Sequence, residues 1–318
     1  MYPFLTAAAL RSAFIRVAEN HGAAGSDGVS VPAFQRDLES SLVALRESVL
    51  DGDYFAWPLR QVVIEKRPGS AHTRTLLVPA VADRVLQTAV ARYLEPLVEA
   101  ELEDCSFGYR RGRGVLHAVR RVRQRYLEGY RWLLDADIHD FFSSVDRDLV
   151  VSRLAPLVPD ELALRLVRLW LDYAVWDGLR LQRPDLGLPL GSVISPLLAN
   201  LCLDALDEAL LGAGLQIVRY ADDFVVLAKS RKQAALAREV SEQTLASLEL
   251  RLHPEKTAIV RYDDGFKFLG VVFMKDLLLQ PLRTGGPKRL RVLHSARSLP
   301  ESFFPEKEKR RLRRYNAW

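Results

Sequence analysis

Two adjacent aspartates, Asp222 and Asp223, are the residues of this chain whose types and spacing could most directly do chemistry. The apolar runs 216–219 and 224–228 on either side are typical of β-strands, so the pair is predicted at the tip of a tight hairpin. Two neighbouring carboxylates repel each other, and a hard divalent cation would relieve that repulsion. Aspartate also favours turns for conformational reasons, so the pair alone leaves a purely structural role open.

Further candidates follow a fixed order along the chain. The apolar run 132–138 predicts a third strand, which delivers Asp137 near its end and is followed by Phe141 and Phe142. Pro at a first helical position favours a helix start. The other segments, in order, are the glycine-rich turn 187–191, the helix start at Ser195 and Pro196, the stretch 253–257 and the stretch 266–270.

Taken together, these segments resemble a reverse transcriptase of the bacterial type related to group II intron proteins, from about Gly25 to about Phe273. Asp137-Ile138-x-x-Phe141-Phe142 resembles the first catalytic motif of that family, and Tyr220-Ala221-Asp222-Asp223 resembles the second. The resemblance implies an α+β right-hand polymerase with fingers and palm. It also implies an antiparallel palm sheet backed by helices, and the few residues after Phe273 predict a short or incomplete thumb.

Primer extension accounts for these residue types. A primer 3′-hydroxyl attacks the α-phosphorus of a nucleoside triphosphate, and two divalent ions roughly 3.5–4 Å apart stabilise the attacking and leaving oxygens. Mg²⁺ prefers oxygen ligands, typically one or two carboxylates plus substrate phosphates. We therefore expect two Mg²⁺ ions, with Mn²⁺ as an alternative, held by Asp137 and Asp222. The Ile138 carbonyl is an expected extra ligand, and Asp223 is counted with both the catalytic and the metal residues, as a neighbour that shapes the field. Asp135 shares the face of Asp137 if the strand alternates.

The resemblance assigns roles to residues outside the carboxylates. These are Lys66 and Arg74 at the triphosphate, Phe142 beneath the sugar, Leu190 and Gly191 at the nucleotide, Lys256 as proton donor to the leaving pyrophosphate, and Phe268, Leu269 and Gly270 as primer grip. An aromatic ring at Phe142 would exclude a ribose 2′-hydroxyl, which implies a DNA product. Taken singly, such basic and aromatic residues are also ordinary surface and core residues.

Leu190 departs from the family pattern, because relatives usually carry Gln at this position. An aliphatic side chain makes none of the hydrogen bonds that an amide makes to a nucleotide and template base. Diversity-generating reverse transcriptases are similar in carrying an aliphatic residue there, whereas Ser195-Pro196 follows the group II-like pattern. The hypothesis is reduced fidelity or altered substrate handling.

Composition is typical of a soluble enzyme. The chain has 318 residues, of which 49% are hydrophobic, but no apolar run approaches the roughly 20 residues of a membrane span and no secretory signal is evident. Cys105 and Cys202 lie far apart, which predicts neither a disulfide framework nor a zinc site and suits a reducing compartment. We therefore expect a cytoplasmic protein with no membrane partner.

Positive charge is concentrated in two parts of the chain. The net charge is +5, and residues 283–318 carry eleven Lys or Arg against three Glu. Residues 110–131 carry eight arginines against Glu128 alone. Such a stripe neutralises phosphates with little sequence preference, although a solvated charged helix is the alternative. The predicted nucleic-acid contacts are Arg110, Arg111, Arg113, Arg120 and Arg121.

The predicted organisation is N-terminal helices and fingers over 1–130, a palm with the catalytic carboxylates over 131–275, and a basic thumb remnant or linker over 276–318. A continuous strand is predicted near 266–273. Two short basic helices are predicted at 288–298 and 306–315, and a partner, a fused domain or the RNA would then close over the duplex.

The stretch 130–138, together with 105–109 and 199–204, looks especially like CRISPR-associated reverse transcriptases. Those relatives work with, or are fused to, the CRISPR adaptation integrase. The expected partners are thus an RNA template, a DNA or RNA primer, deoxynucleotides and that integrase or another chain. Open alternatives are a stand-alone defence or retron-like enzyme, a diversity-generating enzyme, a reduced intron protein, an RNA-dependent RNA polymerase and a non-catalytic nucleic-acid-binding subunit.

Overall fold

The computed structural model describes residues 2–65, 73–275, 277–281 and 290–295. The chain forms two compact units that alternate along the sequence. The first unit consists of Met1–Glu101 with Phe142–Cys202, and the second of Leu102–Phe141 with Leu203–Trp318. These boundaries follow contacts within the chain. The functional division at residues 130 and 275 stays a prediction.

Ten α-helices lie in the described ranges, and many of them begin where the sequence supplies a capping side chain. Ser30, Asp146, Asp160 and Ser230 each accept a hydrogen bond from a backbone N–H in the first turn of the helix that follows. The helices are α1 Ala7–Glu19, α2 Val31–Arg36, α3 Leu38–Asp51, α4 Val81–Glu99, α5 Val115–Leu127, α6 Phe141–Ser144, α7 Arg147–Leu154, α8 Glu161–Leu171, α9 Ser195–Gly212 and α10 Arg231–Ser247.

The strands of the described ranges form three sheets of four strands each. Their orders are β2-β1-β4-β5, β6-β7-β3-β8 and β12-β11-β10-β9. The strands are β1 Leu59–Glu65, β2 Thr73–Val78, β3 Trp132–Asp137, β4 Val175–Trp176, β5 Leu181–Gln182, β6 Gln216–Tyr220, β7 Asp223–Ala228, β8 Ala258–Arg261, β9 Phe266–Phe268, β10 Val271–Met274, β11 Leu277–Pro281 and β12 Leu290–Ser295.

The second unit is built on the antiparallel sheet β6-β7-β3-β8. On one face of this sheet, Leu133, Val218 and Val225 pack with buried residues of α5 and with aromatic side chains of the β9–β10 region. Residues of the other face, including Leu134 and Phe224, are also fully buried, and α10 packs against β3 and β7. The sheet is therefore covered on both sides, which confirms the predicted antiparallel sheet backed by helices.

The first unit contains the sheet β2-β1-β4-β5, where β1 and β2 form an antiparallel hairpin and β1 pairs in parallel with β4. Helices α1 and α4 pack against each other in the same unit. A buried network ties the loop before β1 to this unit. Asp83 of α4 accepts hydrogen bonds from the Tyr54 hydroxyl at 2.7 Å and the Trp57 N–H at 3.1 Å, and Trp170 Nε1 donates to the Tyr54 oxygen at 3.0 Å.

Two predictions about the end of the chain are wrong. Residues 266–273 form two antiparallel strands instead of one, because Leu269 and Gly270 both adopt positive φ and reverse the chain between β9 and β10. The segment predicted as a basic helix over 288–298 contains β12, which pairs with β11. Pairing with the preceding strand therefore outweighs local helical preference there. The helix predicted at 306–315 lies outside the described residues.

Candidate active site

Sheet register brings the predicted carboxylates of the second unit together. In the antiparallel pairing of β3 with β7, Asp137 lies directly opposite Asp223, and Asp135 lies opposite Val225. Directly opposed residues share a face of the sheet, so Asp135, Asp137 and Asp223 project on the same side. The predicted β6–β7 hairpin is confirmed, with Tyr220 paired to Asp223 and with Ala221 and Asp222 in the turn.

The turn that carries Asp222 has an unusual backbone conformation. Ala221 has a φ of 58°, in the left-handed region that non-glycine residues rarely adopt. Such a conformation persists only where surrounding contacts enforce it, and it is common at functional sites. The geometry sets Asp222 at the sheet rim, beside the end of β3.

Burial and mutual repulsion make this group of carboxylates costly to ionise. Burial, followed by the charge of Asp137, raises the pKa of Asp135 to about 6. Burial, followed by Asp135, Asp137 and Asp222, raises the pKa of Asp223 to about 7. The pKa of Asp222 is also raised, first by burial and then by Asp137 among other groups. A cation at this rim would offset both effects.

Lys256 supplies one such cation from the protein itself. Its ammonium group donates a hydrogen bond to Asp137 Oδ2. This contact is the largest cause of the raised pKa of Lys256. Lys256 lies in the segment before β8, and the His253 N–H donates to the Asp137 carbonyl at 2.8 Å. The fold thus places Lys256 beside Asp137, while its predicted role as a proton donor to the leaving pyrophosphate stays a prediction.

The donor set at this rim fits a hard divalent ion that is completed by substrate. No three His, Cys, Asp or Glu side chains within the described ranges enclose a metal position by themselves. Mg²⁺ nevertheless needs only one or two protein carboxylates when phosphates supply the other oxygens. Asp137 and Asp222 could supply them. Ile138 forms an antiparallel β-bridge with Leu252. The two hydrogen bonds of this bridge run from the His139 N–H to the Arg251 carbonyl and from the His253 N–H to the Asp137 carbonyl, so neither uses the Ile138 carbonyl.

The predicted nucleotide-binding residues of the first unit are connected through backbone contacts. The Leu188 N–H donates to the Phe142 carbonyl at 2.7 Å, and the Leu77 N–H donates to the Leu190 carbonyl at 2.8 Å. Leu77 belongs to β2, the strand that also carries the exposed Arg74. The fold therefore brings Phe142, the turn with Leu190 and the strand of Arg74 together.

Gly191 has a positional reason to be glycine. Its φ is 118°, and a Cβ there would lie 2.6 Å from the Leu77 carbonyl oxygen. Only glycine lets the turn approach the strand this closely. Leu190 remains exposed beside it. Lys66, the other predicted triphosphate contact, lies outside the described residues.

The arginines predicted to contact nucleic acid differ in their exposure to solvent. Arg110 is buried, and its guanidinium donates to the backbone carbonyls of Leu102, Glu103 and Ser106. Its prediction as a phosphate contact is wrong, since these carbonyls already hold its donors in the interior. Arg113 is half-buried and forms an ion pair with Asp104 at 2.6 Å.

The other three predicted nucleic-acid residues lie nearer the surface. Arg111 and Arg120 are exposed. The Arg121 guanidinium lies 5.7 Å from the centroid of the Phe107 ring. The nucleic-acid contacts predicted for Arg111, Arg120 and Arg121 stay predictions.

The predicted primer grip falls on the β9–β10 turn. Phe268 is 1% exposed and packs in the core with Tyr262 and Phe273, so its ring cannot contact a primer and that part of the prediction is wrong. Leu269 and Gly270 form the turn itself, and Gly270 is exposed. Any contact to a primer from this segment would come from these two residues.

The sequence analysis missed a buried ion pair next to the β6–β7 turn that carries Asp222. Arg219 of β6 and Asp207 of α9 are both 0% exposed and lie 2.5 Å apart. The signal was available, because Arg219 interrupts an apolar strand two residues before the turn and Asp207 interrupts an apolar helix. A buried arginine predicts an acidic partner, but α9 carries Asp204, Asp207 and Glu208, so the pattern alone did not identify Asp207.

An antiparallel sheet that presents carboxylates at a strand end and in the adjoining hairpin turn is the arrangement of a polymerase palm. The chain belongs to the family described as reverse transcriptase (RNA-dependent DNA polymerase), whose pattern matches residues 64–273. Protein YkfC of Escherichia coli (strain K12) is 31% identical over 293 residues, which covers 77% of this chain and 74% of YkfC.

Other relatives are longer than this chain. The group II intron-encoded protein LtrA of Lactococcus lactis subsp. cremoris is 29% identical over 173 residues, covering 54% of this chain and 28% of LtrA. A chain of a partial Cas6-RT-Cas1–Cas2 complex has a TM-score of 0.48 and 29% identity, covering 77% of this chain and 41% of that one. Telomerase of Candida albicans has a TM-score of 0.57 and 13% identity, covering 87% of this chain and 53% of that one. The telomerase similarity shows a shared fold.

No helix in the described ranges combines the length and apolar character that crossing a membrane requires.

Proposed function

We propose that this chain extends a primer with deoxynucleotides on an RNA template, and that Asp137, Asp222 and Asp223 form its catalytic centre. The observation that carries the proposal is the register that sets Asp137 opposite Asp223, with Asp222 in the adjoining turn, in a member of the reverse transcriptase family. A non-catalytic binding subunit would have no chemical reason to keep three crowded carboxylates at one rim.

In this proposal Asp137 and Asp222 hold two divalent ions, Mg²⁺ or Mn²⁺, and the Ile138 carbonyl adds a ligand. When bound, such ions lower the pKa of the primer hydroxyl and stabilise the charge of the leaving pyrophosphate. Asp223 adjoins the pair and adds to the negative field that attracts the ions. Lys256, whose ammonium already lies against Asp137, donates a proton to the leaving group.

Residues of the first unit select the nucleotide. Arg74 and Lys66 bind the triphosphate, for which the planar guanidinium of arginine is well shaped. Phe142 packs beneath the sugar and excludes the ribose 2′-hydroxyl. Leu190 and Gly191 lie at the nucleotide, and their turn is fixed by the Leu77 N–H.

The first experiment is primer extension on an RNA template with Mg²⁺, with either deoxynucleotides or ribonucleotides, for wild type beside Asp222→Ala and Asp140→Asn. Asp140 is an exposed carboxylate of the same unit and serves as the matched control. The proposal predicts deoxynucleotide-dependent extension that falls at least a thousandfold in Asp222→Ala, the scale of losing a main electrostatic contribution, and that persists in Asp140→Asn. Equal activity of wild type and Asp222→Ala would exclude this site.

We further propose that the enzyme serves CRISPR spacer acquisition from RNA, in company with the adaptation integrase. Support comes from the resemblance of residues 130–138, 105–109 and 199–204 to CRISPR-associated reverse transcriptases. The expected results are co-purification with a CRISPR adaptation integrase from the same organism, and integrase-dependent insertion of newly copied DNA into a repeat array. An array that gains spacers at the same rate with Asp222→Ala would favour a stand-alone defence, retron-like, diversity-generating or reduced intron enzyme. A cytoplasmic location follows from this role.

A further inference from the structure

Arg219 is the largest side chain of the described residues with no exposure, and it lies directly before the catalytic turn. It belongs to β6, where it pairs across the sheet with Phe224. Phe224 in turn pairs with Ala136, so Arg219 projects from the face opposite to Asp137 and Asp223. An arginine in this position cannot contact a substrate at the carboxylate rim, and its chemistry must act through the backbone.

Two sets of hydrogen bonds made by the Arg219 guanidinium bear on the turn. Its Nε donates to both carboxylate oxygens of Asp207, at 2.8 and 3.0 Å, and its Nη2 donates to Oδ2 at 2.5 Å. Its remaining nitrogen, Nη1, donates to the Ala221 carbonyl at 3.2 Å. Asp207 thereby fixes the orientation of the guanidinium, and the guanidinium fixes the carbonyl of the residue with positive φ that precedes Asp222.

The same turn is restrained from a second direction. The Phe107 N–H donates to the Arg219 carbonyl, and the Arg219 N–H donates to the Cys105 carbonyl, each at 2.9 Å. This places Gly108 against the turn, where a Cβ would lie 2.5 Å from the Ala221 nitrogen. Arg110 holds the start of this segment through backbone carbonyls. The left-handed turn is therefore enclosed by contacts on two sides, as a strained conformation requires.

Full burial of an ion pair is weak evidence for a contribution to stability. Desolvation of both charges offsets much of their attraction, and apolar residues of similar volume often replace such pairs without loss. Burial alone would lower the pKa of Arg219, but Asp207 outweighs it and the pKa lies above its usual value. Two apolar residues of similar volume would pack in the same place, so the geometry of the pair around the Ala221 carbonyl indicates a role other than packing.

We propose that Arg219, oriented by Asp207, is a positioning residue that holds the Ala221 carbonyl and so aims the Asp222 carboxylate at the metal position. The proposal rests on the proposed catalytic role of Asp222. Loss of the contact frees the turn to leave its left-handed conformation, and Asp222 then spends part of its time directed away from Asp137. The expected consequence is weaker divalent-ion binding in a protein that is otherwise folded.

The test uses the full chain with the double substitution Asp207→Leu and Arg219→Met, which replaces the ion pair by apolar side chains and removes the donor to Ala221. Thermal unfolding checks that the variant folds. Titration with Mn²⁺, followed by electron paramagnetic resonance without primer or nucleotide, measures ion binding. Hydrogen exchange of a peptide that spans residues 219–224 measures the turn. Primer extension then gives the Mg²⁺ concentration for half-maximal kcat.

We expect a folded double variant that binds Mn²⁺ on the order of tenfold more weakly, the usual effect of one hydrogen bond to a charged group. Its Mg²⁺ requirement rises by a similar factor, and the 219–224 peptide exchanges faster. The control Asp83→Asn removes a buried, hydrogen-bonded carboxylate of the other unit and should change none of these three readouts. A folded double variant with wild-type Mn²⁺ affinity, Mg²⁺ requirement and exchange would overturn the proposal.

Arg219→Lys decides the case if the double variant does not fold. Lysine keeps a positive charge for Asp207 but lacks the planar fork that reaches Asp207 and Ala221 together. Weaker Mn²⁺ binding and faster exchange in Arg219→Lys support positioning, and unchanged values overturn it. If wild type itself extends no primer, the proposed function fails, yet Mn²⁺ binding and hydrogen exchange still decide whether Arg219 holds the turn.

Discussion

At the scale of single residues, Leu190 is proposed to lie at the nucleotide, and its side chain would then affect how accurately the enzyme copies. Its backbone carbonyl is fixed by the Leu77 N–H, while its side chain is 37% exposed. An aliphatic group at a fixed, exposed position offers shape but no hydrogen bonds to a nucleotide. Discrimination between matched and mismatched nucleotides should therefore be weaker than with an amide.

Substitution of Leu190→Gln is expected to lower the KM for deoxynucleotides and the error rate. One added hydrogen bond contributes roughly 0.5–1.5 kcal/mol, which corresponds to a two- to tenfold change. Steady-state kinetics and sequencing of the products measure both effects. Leu186→Gln, an exposed leucine of the same unit, is the matched control. Unchanged KM and error spectrum in Leu190→Gln would contradict the hypothesis.

Phe142 is a second residue with a sharp expectation, because its half-buried ring is the predicted barrier to a ribose 2′-hydroxyl. Phe142→Ala should raise kcat/KM for ribonucleotides relative to deoxynucleotides by at least tenfold, the scale of about 1–3 kcal/mol for admitting a small group. Incorporation assays with each nucleotide set measure the ratio. Phe55→Ala, which removes an exposed ring of the same unit, should leave the ratio unchanged. An equal ratio in both variants would exclude the barrier.

At the scale of elements, the loop before β1 and helix α4 are joined by the buried carboxylate of Asp83. Its two oxygens accept hydrogen bonds from Tyr54 and Trp57. Burial nevertheless raises the pKa of Asp83 to about 6 from an ordinary value of 3.8. A carboxyl whose pKa is raised by folding is easier to protonate in the folded protein, so its contribution to stability is present below about pH 4 and is lost as the pH rises through 6.

Replacement of Asp83 by Asn should reduce the pH dependence of the free energy of unfolding. Between pH 4 and pH 7 the free energy of unfolding of wild type is expected to fall by about 2 kcal/mol relative to that of Asp83→Asn, since two pKa units correspond to that scale. Urea unfolding at the two pH values measures the difference. Asp172→Asn, which changes an exposed carboxylate of the same unit, is the control that should follow wild type. Parallel profiles for wild type and Asp83→Asn would contradict the assignment.

At the scale of the whole molecule, some basic residues form hydrogen bonds in the interior and others lie at the surface. The Arg110 guanidinium donates hydrogen bonds to backbone carbonyls in the interior, whereas Arg111, its neighbour in sequence, is exposed. Only the exposed kind can release counterions from a nucleic acid. Net charge along the sequence therefore overstates the surface available for RNA.

Adjacent substitutions distinguish the buried arginine from the exposed one. Arg111→Ala should weaken RNA binding uniformly across sequences and reduce the slope of log K against log salt by about 0.7–0.9. Arg110→Ala should leave that slope unchanged for the folded protein and lower the free energy of unfolding by at least about 2 kcal/mol, because buried carbonyls lose their donor. Fluorescence anisotropy over a salt series and urea unfolding measure these quantities. If the slope of log K against log salt fell in Arg110→Ala and not in Arg111→Ala, Arg110 rather than Arg111 would contact the RNA.

The sequence by itself determined the local elements and the chemistry of the centre. The hairpin around Asp222, the strand that ends at Asp137 and the capped helices all follow from short-range patterns, because strand alternation, helix caps and turn preferences act within a few residues. The order of the motifs was enough to predict the family, which the comparisons confirm.

Only the tertiary structure decided which residues meet over long separations in the chain. No local pattern contains the register that sets Asp137 opposite Asp223, or the contact between Lys256 and Asp137. The same holds for Arg219, whose contact with Asp207 turns a charge in an apolar strand into a support for the catalytic turn. A buried charge is stable only beside its partner, and the fold, through long-range contacts, supplies that partner.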